Sequence, residues 1–139
     1  MVTNTDADAD DGDDGYAVVD PDDLEAVDGR PCDLRRISGA VALENVAINR
    51  FRAEPGEQLP LAYHYHETQE EAFIVLSGTL QVETPGEAFS VPEGSVFTAE
   101  PESPHRAYNP DDADDAVEVI AIGAPPVSDD TVPYDPDDA

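Results

Sequence analysis

The stretch YHYHETQEEAFIVLSG, Tyr63 to Gly78, decides how this chain reads. It holds two of the three histidines, one residue apart, then two adjacent glutamates and an apolar run. Side chains on a strand alternate between faces, so His64 and His66 project together while Tyr65 points away. Two imidazoles so placed can hold one metal ion. A pair of surface histidines on an exposed strand is the competing reading, and HYH alone does not choose. The run Ala72 to Leu76 reads as a buried strand with a carboxylate at its mouth, and such a carboxylate needs a compensating partner. That run is apolar on both parities, so alternation leaves Glu70 and Glu71 both open.

Outside this stretch the pattern is also strand. NVAINRFRA, AFIVLSG, TLQVET, AFSVP, SVFTA and VEVIAIGA are short and rich in Val, Ile, Phe and Thr. Turn chemistry separates them: EPGEQ, SGT, TPGE, PEG, PESP and NPDDADD. No window keeps helical periodicity over three turns. One short helical turn is expected near DPDDLEAV, with Asp20 as cap before Pro21. Many short strands at close spacing predict a sandwich or barrel. The third histidine, His105, lies 39 residues beyond His66 in PESPHRAYN and opens another short strand. Hairpins that fold back would bring it beside the first pair. Three histidines and one carboxylate form a mixed nitrogen and oxygen donor set suited to a divalent transition metal ion: Mn, Fe, Ni, Cu or Zn.

Charge sets the background. The 139 residues carry 33 acids against six bases, all Arg, for a net charge of -27. Nine Asp fall in residues 1–23 and five in residues 129–139, which leaves 19 acids and six Arg, a net -13, between Leu24 and Ser128. A domain so charged repels itself in dilute buffer, whereas molar salt shortens the screening length to roughly 3 Å. Abundant carboxylates with no Lys are the balance expected of a halophilic cytosolic protein. An acidic interaction tail would explain the termini but not the missing Lys. With no basic stripe to meet phosphates, nucleic acid is excluded as an expected partner. The N-terminus has no signal-peptide pattern and no apolar run approaches a membrane span, so a soluble, cytoplasmic protein with no membrane partner is expected. A lone cysteine, Cys32, permits no internal disulfide and has no neighbouring His, so it reads as a small side chain. DADADDG fails as a calcium loop, because Asp11 and Ala17 stand where Gly and Glu are needed.

The residues of the opening stretch resemble the first motif of the cupins: His-x-His, three or four residues, Glu, six residues, Gly. His64, His66, Glu71 and Gly78 keep every spacing, and it is this resemblance that favours Glu71 over Glu70. The motif's leading glycine resembles Gly56, two residues too far upstream. In the second motif Gly94, His105 and Asn109 keep their spacings, while Glu100 and Glu102 stand where the pattern has Pro and Gly. The stretch from Gly86 through Pro92–Gly94 matches that motif's first half but has Phe97 in place of the His, and is a decoy. The resemblance covers roughly Ala47 to Gly123 and is also to small single-domain haloarchaeal cupins. It implies an all-β, single-domain double-stranded β-helix, a jelly-roll-like barrel with a metal ion held near its centre by His64, His66, Glu71 and His105. It also implies a homodimer.

The expected organisation is therefore an acidic disordered tail at 1–19, a barrel domain at 20–126 and an acidic C-terminal tail at 127–139. Arg50 and Arg52 could point inward and bind a substrate carboxylate or phosphate, although pairing with surface carboxylates is the favoured reading. Arg106 should face away from the metal, and Asn109 should hydrogen-bond a turn. Phe73, Val75, Phe97 and Tyr108 read as core or cavity wall. Two functions remain in view. One is a metal-dependent dioxygenase or isomerase acting on a small organic molecule. The other is a cupin that binds or senses a metal or small ligand without turnover.

Overall fold

The computed structural model describes residues 15–59, 62–126 and 129–138. Most of the expected N-terminal tail lies outside these residues. Ten strands follow one another: β1 (Asp33–Arg36), β2 (Ala47–Ala53), β3 (His64–His66), β4 (Glu70–Ser77), β5 (Thr79–Glu83), β6 (Ala88–Pro92), β7 (Val96–Ala99), β8 (Arg106–Tyr108), β9 (Val117–Ala124) and β10 (Thr131–Pro133). The only helical elements among the described residues are short 3-10 turns. In the first, Pro21–Asp23, the Asp20 side chain accepts from Asp22 N at 3.0 Å, the expected cap.

The strands form two antiparallel layers. One is a five-stranded sheet in the order β1-β2-β9-β4-β7. The other joins β6-β5-β8 to the β3–β10 pair through a bridge between His64 and His105, the residue just before β8. This crossing of non-consecutive strands is the double-stranded β-helix expected from the sequence. Strand β9 sits inside the first sheet and alternates strictly, with Val117, Val119 and Ala121 buried. They meet Phe73, Val75, Leu80 and Val82 in one core.

Two local features keep the strands in place. Gly78 turns the chain from β4 to β5 with φ +78, and a Cβ there would stand 2.5 Å from Ala116 O. Only glycine accepts both the left-handed backbone and that approach. Asn109 is buried and donates from Nδ2 to Ala53 O and Asp115 O, at 3.0 and 2.9 Å, so it ties the turn before β9 to β2.

The structure differs from the expected organisation at the C-terminus. Thr131–Pro133 is not loose tail but strand β10, paired with β3 in the register Thr131–His66, Val132–Tyr65 and Pro133–His64. Tyr134 N donates to Tyr63 O, and the two tyrosine rings lie 5.0 Å apart. A row of Asp hides this strand from a composition reading, but β3 has a free edge that needs backbone partners. Strand β1 was equally hard to foresee, because DLRR has one apolar residue.

Candidate metal centre

His64 and His66 are both buried on one face of β3, as alternation requires. His105 is drawn against them by the bridge, in which His64 N donates to His105 O at 3.1 Å and His105 N donates to His64 O at 2.9 Å. Strand β4 delivers the carboxylate. Glu70 is exposed, whereas Glu71 turns inward on the face of Phe73 and Val75. The ligand atoms of His64, His66 and Glu71 all lie within 4.8 Å of one another. His105 adjoins this trio through Glu71, with Nε2 at 2.8 Å from Oε1, and its ring centroid lies 4.8 Å from that of His64.

The other ring nitrogen of each histidine meets an acceptor. His64 Nδ1 is 2.7 Å from Ala62 O, His105 Nδ1 is 2.8 Å from Ser103 O, and His66 Nδ1 is 3.0 Å from Asp130 Oδ1. Carbonyls and carboxylates only accept, so each Nδ1 carries a hydrogen, and a neutral His64 or His66 ring turns a bare Nε2 lone pair inward, whereas His105 Nε2 meets the Glu71 carboxylate. His64 Nε2 and His66 Nε2 are buried with no hydrogen-bond partner. His66 Nε2 stands 3.5 Å from Glu71 Oε1, close enough for charge to be felt but without a hydrogen bond. Several acceptors facing one another repel unless a proton or a cation lies among them. The donor set therefore fits a transition metal ion.

Burial and the two carboxylates act on this cluster in opposite directions. Burial pushes the Glu71 carboxyl up, but the histidines His105 and His66 outweigh it and hold the group at about 2. Burial pushes His64 below its ordinary value, favouring the neutral ring that a metal requires. The Glu71 carboxylate draws His66 upward against burial, with Asp130 adding to it.

Asp130 is a residue of the candidate site that sequence reasoning missed. It is buried just before β10, and besides meeting His66 it accepts through Oδ2 from Thr68 N, Thr68 Oγ1 and Gln69 N at 3.1, 3.1 and 2.9 Å. Burial opposes its ionisation, yet His66 and these donors hold its carboxyl at about 2. A carboxylate behind a ligating histidine fixes the ring's tautomer and orientation. No local signal marked it, since it sits 64 residues from His66 in a run of acids.

A cavity of about 600 Å³ opens over the four side chains. Phe51, Leu59, Phe73 and Ala107 form its apolar wall, and Asn49, Gln69 and Thr131 add polar groups. Arg50 and Arg52 do not reach it. Ala47, Asn49 and Phe51 are the residues of β2 that line it, so Arg50 and Arg52, on the alternate parity, face the other way. Arg50 pairs with Glu118 and Asp22 at 2.6 and 3.2 Å, and Arg52 with Glu54 at 3.5 Å. Arg106 also faces outward, on Glu83 and over the Tyr108 ring.

Comparison with known proteins gives the same architecture. No curated protein matches the chain. Among solved structures it is similar to a sugar phosphate isomerase of the cupin superfamily from Silicibacter pomeroyi, with 20% identity over 78% of this chain and 75% of that one, at a TM-score of 0.65. The polyketide cyclase RemF from Streptomyces resistomycificus shares 18% identity over 83% of this chain and 89% of that one, at 0.65. KdgF from Halomonas sp. shares 19% over 82% and 97%, at 0.66. At such identities these likenesses establish the fold. The cupin-domain family model matches residues 49–123, which is more than half of the chain and includes all four converging side chains. The chain belongs to the cupin family.

Proposed function

We propose that this cupin binds one divalent transition metal ion through His64, His66, Glu71 and His105 and uses it on a small organic molecule held in the cavity. The observation that carries the reading is the pair of buried, unpartnered Nε2 atoms of His64 and His66 turned toward Glu71. A bound ion would act as a Lewis acid toward an oxygen atom of the ligand. The chain's own residues orient the donors: Asp130 holds His66, the Ala62 and Ser103 carbonyls hold His64 and His105, and the apolar wall excludes water. Isomerisation of a small hydroxy or keto compound, or its oxygenation, is the chemistry proposed for this site. The similar fold of a sugar phosphate isomerase is the reason isomerisation is placed ahead of oxygenation in this proposal. A homodimer in a salt-rich cytoplasm completes the reading.

Metal analysis after purification in high salt tests it. We expect near one equivalent of metal, lost in His64→Ala. A wild-type protein that takes up no transition metal from any of the five candidate salts overturns the reading.

A second reading is favoured by one observation. Among the described cavity residues, the titratable groups besides the proposed ligands are two arginines, so no separate acid or base is in place. The protein would then bind or sense its ligand without turnover. Metal-dependent conversion of any hydroxy or keto acid rejects this second reading.

A further inference from the structure

The cavity inverts the charge balance of the chain. Acids outnumber bases 33 to six in the sequence. Yet the described cavity lining has two arginines, Arg30 and Arg36, and one acid, Glu71. These are also the two arginines that have no carboxylate partner among the described residues. The other four are all engaged: Arg35 with Asp33, Arg50 with Glu118, Arg52 with Glu54 and Arg106 with Glu83. In a chain so rich in carboxylates, two guanidinium groups at one cavity with no carboxylate partner among the described residues are not explained by surface ion pairing there.

Backbone register accounts for Arg36. Leu34 and Arg36 share a face of β1, and Arg36 lies opposite Asn49 while Leu34 lies opposite Phe51. All four line the cavity. Arg36 is thus the polar end of the same inward row that supplies the apolar wall. Arg30 approaches from the segment preceding β1. Both are exposed, which places them toward the mouth rather than among the buried histidines.

We propose that Arg30 and Arg36 form an anion-binding subsite, so that the cavity takes a small molecule ending in a carboxylate or a phosphate. The anionic end sits at the mouth, where planar guanidinium forks match either group. The oxygen-bearing end points inward to the His and Glu cluster. This inference rests on the cavity being the ligand site proposed above, and it supplies the substrate class. With an ion on the three imidazoles and Glu71, the site as a whole would be cationic, in a protein whose surface repels anions. Selectivity for an anionic ligand therefore has to come from inside the cavity.

Calorimetric titration with matched probes tests it at fixed low salt. Glycerate is compared with glyceramide, and glycerol 3-phosphate with glycerol. We expect at least one acid to bind more tightly than its neutral partner, and the two arms tell carboxylate from phosphate. Arg30→Gln and Arg36→Gln should each weaken that acid about fivefold, the upper range for a solvent-exposed ion pair. Arg36→Lys should recover part of the loss, and rising KCl should narrow the preference. Arg52→Gln, on the opposite face of β2, should change nothing. Equal binding of acid and neutral probe, no binding of either acid, or unaltered acid binding in both Arg→Gln variants overturns the subsite. Metal content is measured on the same samples. Normal metal with no acid preference sinks the subsite alone, whereas absent metal with acid preference intact sinks the metal reading alone.

Discussion

His64 and His105 are bridge partners: each donates its backbone N–H to the other's carbonyl, at 3.1 and 2.9 Å. The bridge brings their rings together, with centroids 4.8 Å apart. The same bridge joins the β3–β10 pair to the rest of the second sheet. Any event that loosens β10 thus reaches the proposed metal site through β3, and the Asp130–His66 contact connects the two directly.

Asp130→Ala should remove the acceptor from His66 Nδ1 and strand the Thr68 and Gln69 donors. We expect a loss of about 2–3 kcal/mol of stability, read from urea denaturation. Metal affinity should fall about 10- to 100-fold in a chelator competition, as for other carboxylates behind ligating histidines. A variant with wild-type metal affinity would show that Asp130 only stabilises the loop.

Glu102→Gly should stabilise the protein. Glu102 has φ 67 and follows Pro101, a turn position that ordinarily goes to glycine. Its N–H donates to His66 O at 2.7 Å, so the strained turn is held by strand β3 itself. Relief of left-handed strain of about 1–2 kcal/mol outweighs the entropy glycine adds to the unfolded chain, about 0.5–1 kcal/mol. Thermal denaturation should show a higher Tm, and Glu102→Val a lower one.

Cys32 should be inert in the folded protein. Burial, reinforced by Glu57 and Asp33, pushes its thiol from 9.0 up to about 12. A folded pKa above the unfolded one means that the associated stability is whole below pH 9.0 and is lost as pH rises toward 12. Iodoacetamide should label the native protein far more slowly than the urea-unfolded chain at pH 8. Equal labelling rates would contradict the burial.

Salt should stabilise the fold. With a net charge of -27, repulsion among carboxylates is long-ranged at about 0.1 M salt, where the screening length is roughly 10 Å, and short-ranged at 1 M. Tm should climb steadily with KCl across that interval. A flat or falling profile would remove the halophilic reading.

Much of the fold was legible because burial writes a period of two into a strand. VEVIAIGA became β9 over Val117–Ala124, with every second side chain buried, and AFSVP became β6 over Ala88–Pro92. The histidine pair followed from the same alternation. Glu71 did not, since Ala72 to Leu76 is apolar on both parities. Its inward orientation is set by pairing on both edges, with Ala99 of β7 and Gly123 of β9. Strand β10 escaped notice because its partner, not its composition, makes it a strand.

What the chain determines alone is which side chains share a strand face, because that depends on neighbours two residues apart. His64 with His66 is such a relation, and so is Val117 with Val119. Tertiary structure alone decided which faces meet. It set His105 against His64, brought Asp130 behind His66, left Arg50 on Glu118, and turned Arg36 toward the cavity. These pairings span long stretches of chain, and closing such loops costs entropy that only many simultaneous contacts across two sheets can offset.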